Sequence, residues 1–237
     1  QFWANGFYSA SMTLKVIPKP IIKSFSVHVE HPSYTQLKDE HIINKGNLRV
    51  TEGSEIHWSF ETEHTQNLFF QLDKKEKVYP KKADLFEVKK HVYQSHNYGL
   101  FVGNKTLNGD SIFYQLEIIP DAFPSIQLTE IIDSNDNYLR FFEGIIKDDY
   151  GFNALTFNYR TFGEEQSDWI TEELAINNNN QLVFYHHWNL STINLEAGES
   201  LEYFFEVWDN DGINGSKSSR SKTMFHKSPT KEEHKKQ

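Results

Sequence analysis

The sequence predicts an all-β chain made of antiparallel β-sandwiches in tandem. Three observations predict it. Aromatic residues make up 15% of the 237 residues, with 19 Phe, 11 Tyr and 5 Trp, and such side chains suit pleated, half-buried surfaces. Several short stretches alternate apolar and polar residues with a period of two, the mark of strands with one buried face. A strand–turn–strand–proline pattern also occurs three times: Phe2 to Pro20, Tyr98 to Pro124 and Tyr203 to Pro229.

The elements follow in order along the chain. The opening "FWANGFYSASMTLKVIPKP" reads as a hairpin around Asn5-Gly6, because Asn and Gly tolerate the positive φ of tight hairpin turns. In "EIHWSFE", Ile56, Trp58 and Phe60 share one face. In "SIFYQLEI", Ile112, Tyr114, Leu116 and Ile118 do the same, and in "ALTFNYR" so do Leu155, Phe157 and Tyr159. Trp58 and Phe157 hold similar places in their repeats and are expected to plug the two cores. "SDWITEELAI" carries a weak signal for one helical turn. At the end, Thr230 and Glu233 have capping-box spacing, so the tail is either frayed and polar or the start of a helix.

The closing prolines are 104 and 105 residues apart. That period is close to the ~100 residues of an immunoglobulin-like or fibronectin III-like sandwich. The expected organisation is therefore residues 1–19 as the last hairpin of a preceding domain, 20–119 and 120–227 as two sandwiches, and 228–237 as the tail. Such an opening hairpin lacks the sheet it would complete, and invites a hairpin-mediated dimer.

Charge and composition narrow the function classes. The net charge is −9, which argues against nucleic acid as a partner, since phosphate contacts need clustered Lys and Arg. There are no cysteines, so disulfides, thiolate metal sites and cysteine nucleophiles are excluded. No run of about 18 apolar residues is present, so no membrane contact by this stretch is expected. G-x-S-x-G, Walker A and H-E-x-x-H patterns are all absent. The expectation is no enzyme activity and no cofactor.

The order of the motifs carries a resemblance. "LKVIPKP", "HPSYT", "GNLRVTEGSEIHWSF", "IIPDAFPSIQL", "IKDDYGFNALTFNYR" and "YFFEVWDNDGINGSKSSRSKTMF" together resemble large uncharacterised membrane-anchored proteins of Bacteroidota. In that group, tandem immunoglobulin-like domains precede a coiled-coil region. The resemblance covers Phe2 to Glu233, and "DDYG" and "DNDGINGSKS" are its most specific pieces. It implies an extracytoplasmic, periplasmic location and no catalytic residues.

Two groups of residues remain as candidate sites. Asp133, Asp148, Asp149, Asp209 and Asp211 supply acidic oxygens that calcium would accept, against the alternative that they only build turns. Tyr185, Trp188, Phe204 and Trp208 are candidates for stacking on sugar rings, with Phe204 and Trp208 expected on the outer face of their strand. The function expected overall is a non-catalytic spacer or docking arm of a cell-envelope protein. Its partners would be other envelope proteins or neighbouring domains of the same chain. The alternatives are a glycan-binding sandwich and a calcium-stiffened, adhesin-like stalk.

Overall fold

The computed structural model describes residues 2–132, 136, 138–162, 168–177 and 179–230. The chain forms two units, one of residues 1–30 with 38–119, the other of residues 31–37 with 120–237. The described residues are almost wholly β. Helical structure among them is limited to 3-10 turns at Ser33–Thr35 and Leu190–Thr192.

The first unit contains β1 (Trp3–Ala4), β2 (Phe7–Tyr8), β3 (Ile21–Glu30), β4 (Glu40–Ile43), β5 (Leu48–Thr51) and β6 (Glu55–Glu63). It continues with β7 (Asn67–Gln71), β8 (Lys75–Val78), β9 (Pro80–Lys82), β10 (Leu85–His91), β11 (His96–Gly103) and β12 (Asn108–Ile119). Two five-stranded sheets result, in the orders β4-β3-β6-β10-β9 and β5-β12-β11-β7-β8. All pairings in them are antiparallel except that of β5, which runs parallel to β12. Between the sheets, Ile56, Trp58 and Phe60 are fully buried, as their alternation predicts. The Trp58 ring lies 5.0 Å from Phe70 and 5.6 Å from Tyr98. The Tyr98 hydroxyl donates to the Gly46 carbonyl at 2.6 Å, so this core phenol is satisfied.

The opening segment differs from expectation. Its turn forms, with Asn5 and Gly6 at φ 48° and 83°. The ladder, however, has only the pairs Trp3–Tyr8 and Ala4–Phe7. No strand forms between Ser9 and Pro20, and Met12, Leu14 and Val16 are exposed. Alternation alone does not make a strand when the apolar face has nothing to pack against.

The second unit contains β13 (Ser125–Ile132), β14 (Leu139–Lys147), β15 (Phe152–Phe162), β16 (Ile170–Glu173), β17 (Gln181–Asn189), β18 (Ser200–Asp209), β19 (Ser218–Arg220) and β20 (Met224–Lys227). One sheet is β13-β14-β17; the other is β16-β15-β18-β19, with β20 also paired to β18. The final return strand is thus split. Ser221 bridges the break: its N–H donates to the Phe205 carbonyl, and its hydroxyl accepts from the Phe205 N–H. "SDWITEELAI" forms β16 rather than a helical turn, because Ile170 to Glu173 pair with Tyr159 to Thr156 along the edge of β15. Phe157 is fully buried, within 4.7–4.9 Å of His186, Phe205 and Trp188. Gly144 on β14 lies under the Phe184 ring, where a Cβ would come within 2.2 Å of its atoms.

Residues 231–237 of the candidate tail, Glu233 of the capping box among them, and Asp133 lie outside the described residues.

Candidate functional site

The aspartates sort themselves at one pole of the second unit. Asp209 Oδ1 accepts from the N–H groups of Asp211 and Lys217, and Asp211 Oδ1 from those of Ile213 and Asn214. These are turn-building bonds of the Asx kind. The remaining oxygens point at one cation. Lys217 Nζ lies 2.6 Å from Asp121 Oδ1, 2.8 Å from Asp211 Oδ2 and 2.9 Å from Asp209 Oδ2. The three carboxylates are buried, and the ammonium nearly so. Burial disfavours the Lys217 ammonium, but hydrogen bonds to Asp121, Asp211 and Asp209 outweigh it and raise its pKa. At Asp211, burial is likewise outweighed by Lys217 and the backbone N–H groups, and the pKa falls.

Asp148 and Asp149 stand apart from this clasp. Asp148 Oδ2 accepts from the N–H groups of Tyr150 and Gly151, and Asp149 Oδ2 from that of Ala122. Burial pushes the Asp148 carboxyl up to about 6, against the lowering effect of its two N–H donors. Tyr34, part of the same unit, packs edge-on against Tyr150 with centroids 5.8 Å apart. No group of metal-ligating side chains suited to an ion occurs among the described residues.

The aromatic candidates are dispersed. Trp188 is only 6% exposed, and its ring sits in the core at 4.9 Å from Phe157 and 5.2 Å from Tyr203. The alternation of β17 turns Phe184 and Trp188 inward and Tyr185 and His187 outward. Phe204 points out of its sheet, as expected, yet it is buried. Arg220 covers one part of its ring at 4.6 Å and Trp169 meets it edge-on at 4.8 Å. Arg160 in turn lies 4.2 Å from the Trp169 ring and pairs with Glu202, while Arg220 pairs with Glu206. The expected open aromatic row is therefore a closed ladder of cation–π and ion pairs, with Trp208 half-buried beside it. Tyr185 is the one of the four that stands well exposed, at 74%, with its hydroxyl donating to Glu143.

An aromatic surface that the sequence reading missed lies on the first unit. In sheet β5-β12-β11-β7-β8, Leu68, Phe70, Tyr98, Leu100 and Leu116 face inward. The opposite phase carries Phe69, Phe101 and Phe113. Phe69 pairs across strands with Phe101, Phe101 with Ser111, and Gly99 with Phe113. The Phe101 and Phe113 rings meet edge-on at 5.6 Å, and Phe113 is 63% exposed. Beside them is a cleft of about 290 Å³, lined among others by Asn67, Phe69, Lys75, Phe101, Asn108 and Ser111. Lys75 Nζ lies 3.6 Å from the Phe101 ring centre and 5.3 Å from that of Phe69. The signal was present in "SIFYQLEI", where Phe113 occupies the polar phase between Ser111 and Gln115.

No family model matches the chain, and no match is found among curated proteins. Among solved structures, the chain is similar to part of a 1.5-MDa bacterial ice-binding adhesin, at 11% identity and a TM-score of 0.43. That match covers 76% of this chain and 61% of the adhesin chain. A candidate carbohydrate-binding protein from Bacteroides uniformis matches at 9% identity and a TM-score of 0.30, over 70% of this chain and 89% of that one. Likenesses this distant carry no functional argument. The all-β architecture stands on the sheets themselves.

Proposed function

We propose that the chain is a non-catalytic interaction segment, a docking arm within a larger extracytoplasmic protein of the bacterial envelope. The observation that supports this reading most is the solvent-facing set of Phe69, Phe101 and Phe113 on three adjacent strands. Contiguous exposed aromatic surface commonly marks a binding face. The acids Asp121, Asp209 and Asp211 are engaged with Lys217. A periplasmic location and a membrane-anchored parent follow from the resemblance in the motifs and belong to the same proposal. No helix among the described residues is long and apolar enough to cross a membrane.

The test is cosedimentation of the purified chain with envelope fragments of the host bacterium. Retention that Phe113→Ala weakens is the expected result. A chain that stays in the supernatant under all conditions contradicts the reading.

A further inference from the structure

We infer that the cleft beside Phe69 and Phe101 binds an acidic carbohydrate, one that carries uronate carboxylates. The inference deepens the docking reading and rests on the same face of the first unit. Three features lead to it. The first is the pair of aromatic rings, Phe69 and Phe101, adjacent across two strands and partly open to solvent. The C–H face of a pyranose ring packs on such a surface, because axial hydrogens meet the electron-rich face of the ring.

The second feature is the rim. The side chains of Asn67, Asn108 and Ser111 line the cleft and make no hydrogen bond within the protein among the described residues. Two amides and a hydroxyl can each donate and accept, which suits sugar hydroxyls. Asn104, by contrast, is spent: its amide donates to the Pro18 and His64 carbonyls and accepts from the N–H groups of Thr106 and Leu107. It holds the loop between β11 and β12 in place beneath the rim.

The third feature is charge, and it selects the acid. The chain carries a net −9, yet this cleft is lined by one cation and no carboxylate. Lys75 makes no ion pair among the described residues; its ammonium rests on the Phe101 ring instead. A neutral sugar would have to displace that ammonium from the ring and could offer it only hydroxyl acceptors, with no charge to pair. A uronate takes both places at once: its carboxylate draws Lys75 aside into an ion pair, and its ring occupies the vacated aromatic face. A peptide fits less well. Phe69 and Phe101 stand on β7 and β11, each paired on both sides, so at the rings themselves no strand edge is free for an added strand.

Calorimetry of the full chain with tetragalacturonate and tetramannuronate tests the inference. At least one of them should bind, and its methyl ester should bind about tenfold more weakly or worse. Lys75→Met, a change at an exposed side chain, should weaken the uronate by a similar factor, and so should Phe101→Leu. Tyr185→Ala should leave it unchanged. Failure of both uronates to bind overturns the inference. So does equal binding of the ester, unchanged affinity in Lys75→Met, or displacement by inorganic sulfate at equal concentration. Envelope retention without uronate binding leaves the docking reading standing and removes only the ligand. Uronate binding without envelope retention does the reverse.

Discussion

The two units share a sandwich plan and differ in where they put polar chemistry. The first has an apolar interior, built on Trp58, Phe60, Phe70 and Tyr98, with its aromatic surplus outside on Phe69, Phe101 and Phe113. The second covers its outward aromatic, Phe204, under Arg220 and Trp169, and buries charge instead. Lys217 and three aspartates close its pole, and His186 sits among the core rings. The same fold thus leaves one unit free to present a face and makes the other depend on internal pairing. Buried charges must be matched to be tolerated, so the second unit should be the one that is sensitive to charge and pH.

The largest expected effects separate the units by mechanism. Lys217→Met strands three carboxylates, and breaking a buried pair of this kind costs about 3–5 kcal/mol. Trp58→Ala empties the other core at a similar cost, about 3–5 kcal/mol. Hydrogen exchange resolved by residue should show Lys217→Met loosening residues 120–230 and Trp58→Ala loosening residues 38–119. Lys217→Met with no loss of protection would show that the clasp contributes nothing.

A contrast within one sheet comes next. Phe70→Ala should cost about 3–5 kcal/mol, because the side chain is buried in the core. On the outer face of the same sheet, Phe113→Ala should stay within about 0.5 kcal/mol. Urea melts of the two variants check this. Comparable losses would mean that Phe113 supports the fold and is no spare surface.

The acid response of the second unit should be set by opposing titrations, with the histidines outweighing Asp148. Burial holds the His186 imidazole down to about 4, from 6.5. Below pH 6.5 the unfolded chain takes a proton that the folded chain refuses, so stability falls as pH drops from about 6.5 to 4. His226 acts in the same sense, lowered first by burial and then by Arg140. Asp148 acts oppositely. Its carboxyl rises from 3.8 to about 6 in the fold, so stability grows as pH drops from about 6 to 4. His186→Leu should therefore flatten the loss on going from pH 7 to 5, and Asp148→Asn should steepen it. Identical pH profiles for the three proteins would contradict these assignments.

The alternating strands were legible in the sequence because burial imposes a period of two, and Trp58 and Phe157 stand where that period places them. Four things were not legible. Phe204 lies on the outward phase, but whether an outward aromatic is open depends on Arg220 and Trp169, which come from other segments. Trp188 was one residue out of phase with Tyr185, and phase decides everything in a strand. The acids were visible as a group, but only Asp209 and Asp211 of them meet at one cation; Asp121, which joins them, and Lys217, which they share, carry no local sequence signature. The aromatic face of the first unit was missed because its rings sit in three strands and meet only through register.

The smallest expected effect concerns metal. EDTA should leave the melting temperature unchanged within error, since an ammonium already holds the space among Asp121, Asp209 and Asp211. A fall of several degrees would return Asp148 and Asp149 to consideration as calcium ligands.

The central claim is that the first unit presents the binding face and the second does not. Envelope cosedimentation with paired variants tests it most directly. Lys75→Met combined with Phe113→Ala should release the chain into the supernatant, while Tyr185→Ala combined with Trp208→Ala should leave retention intact. Release by the second pair, with the first pair still bound, would contradict the account.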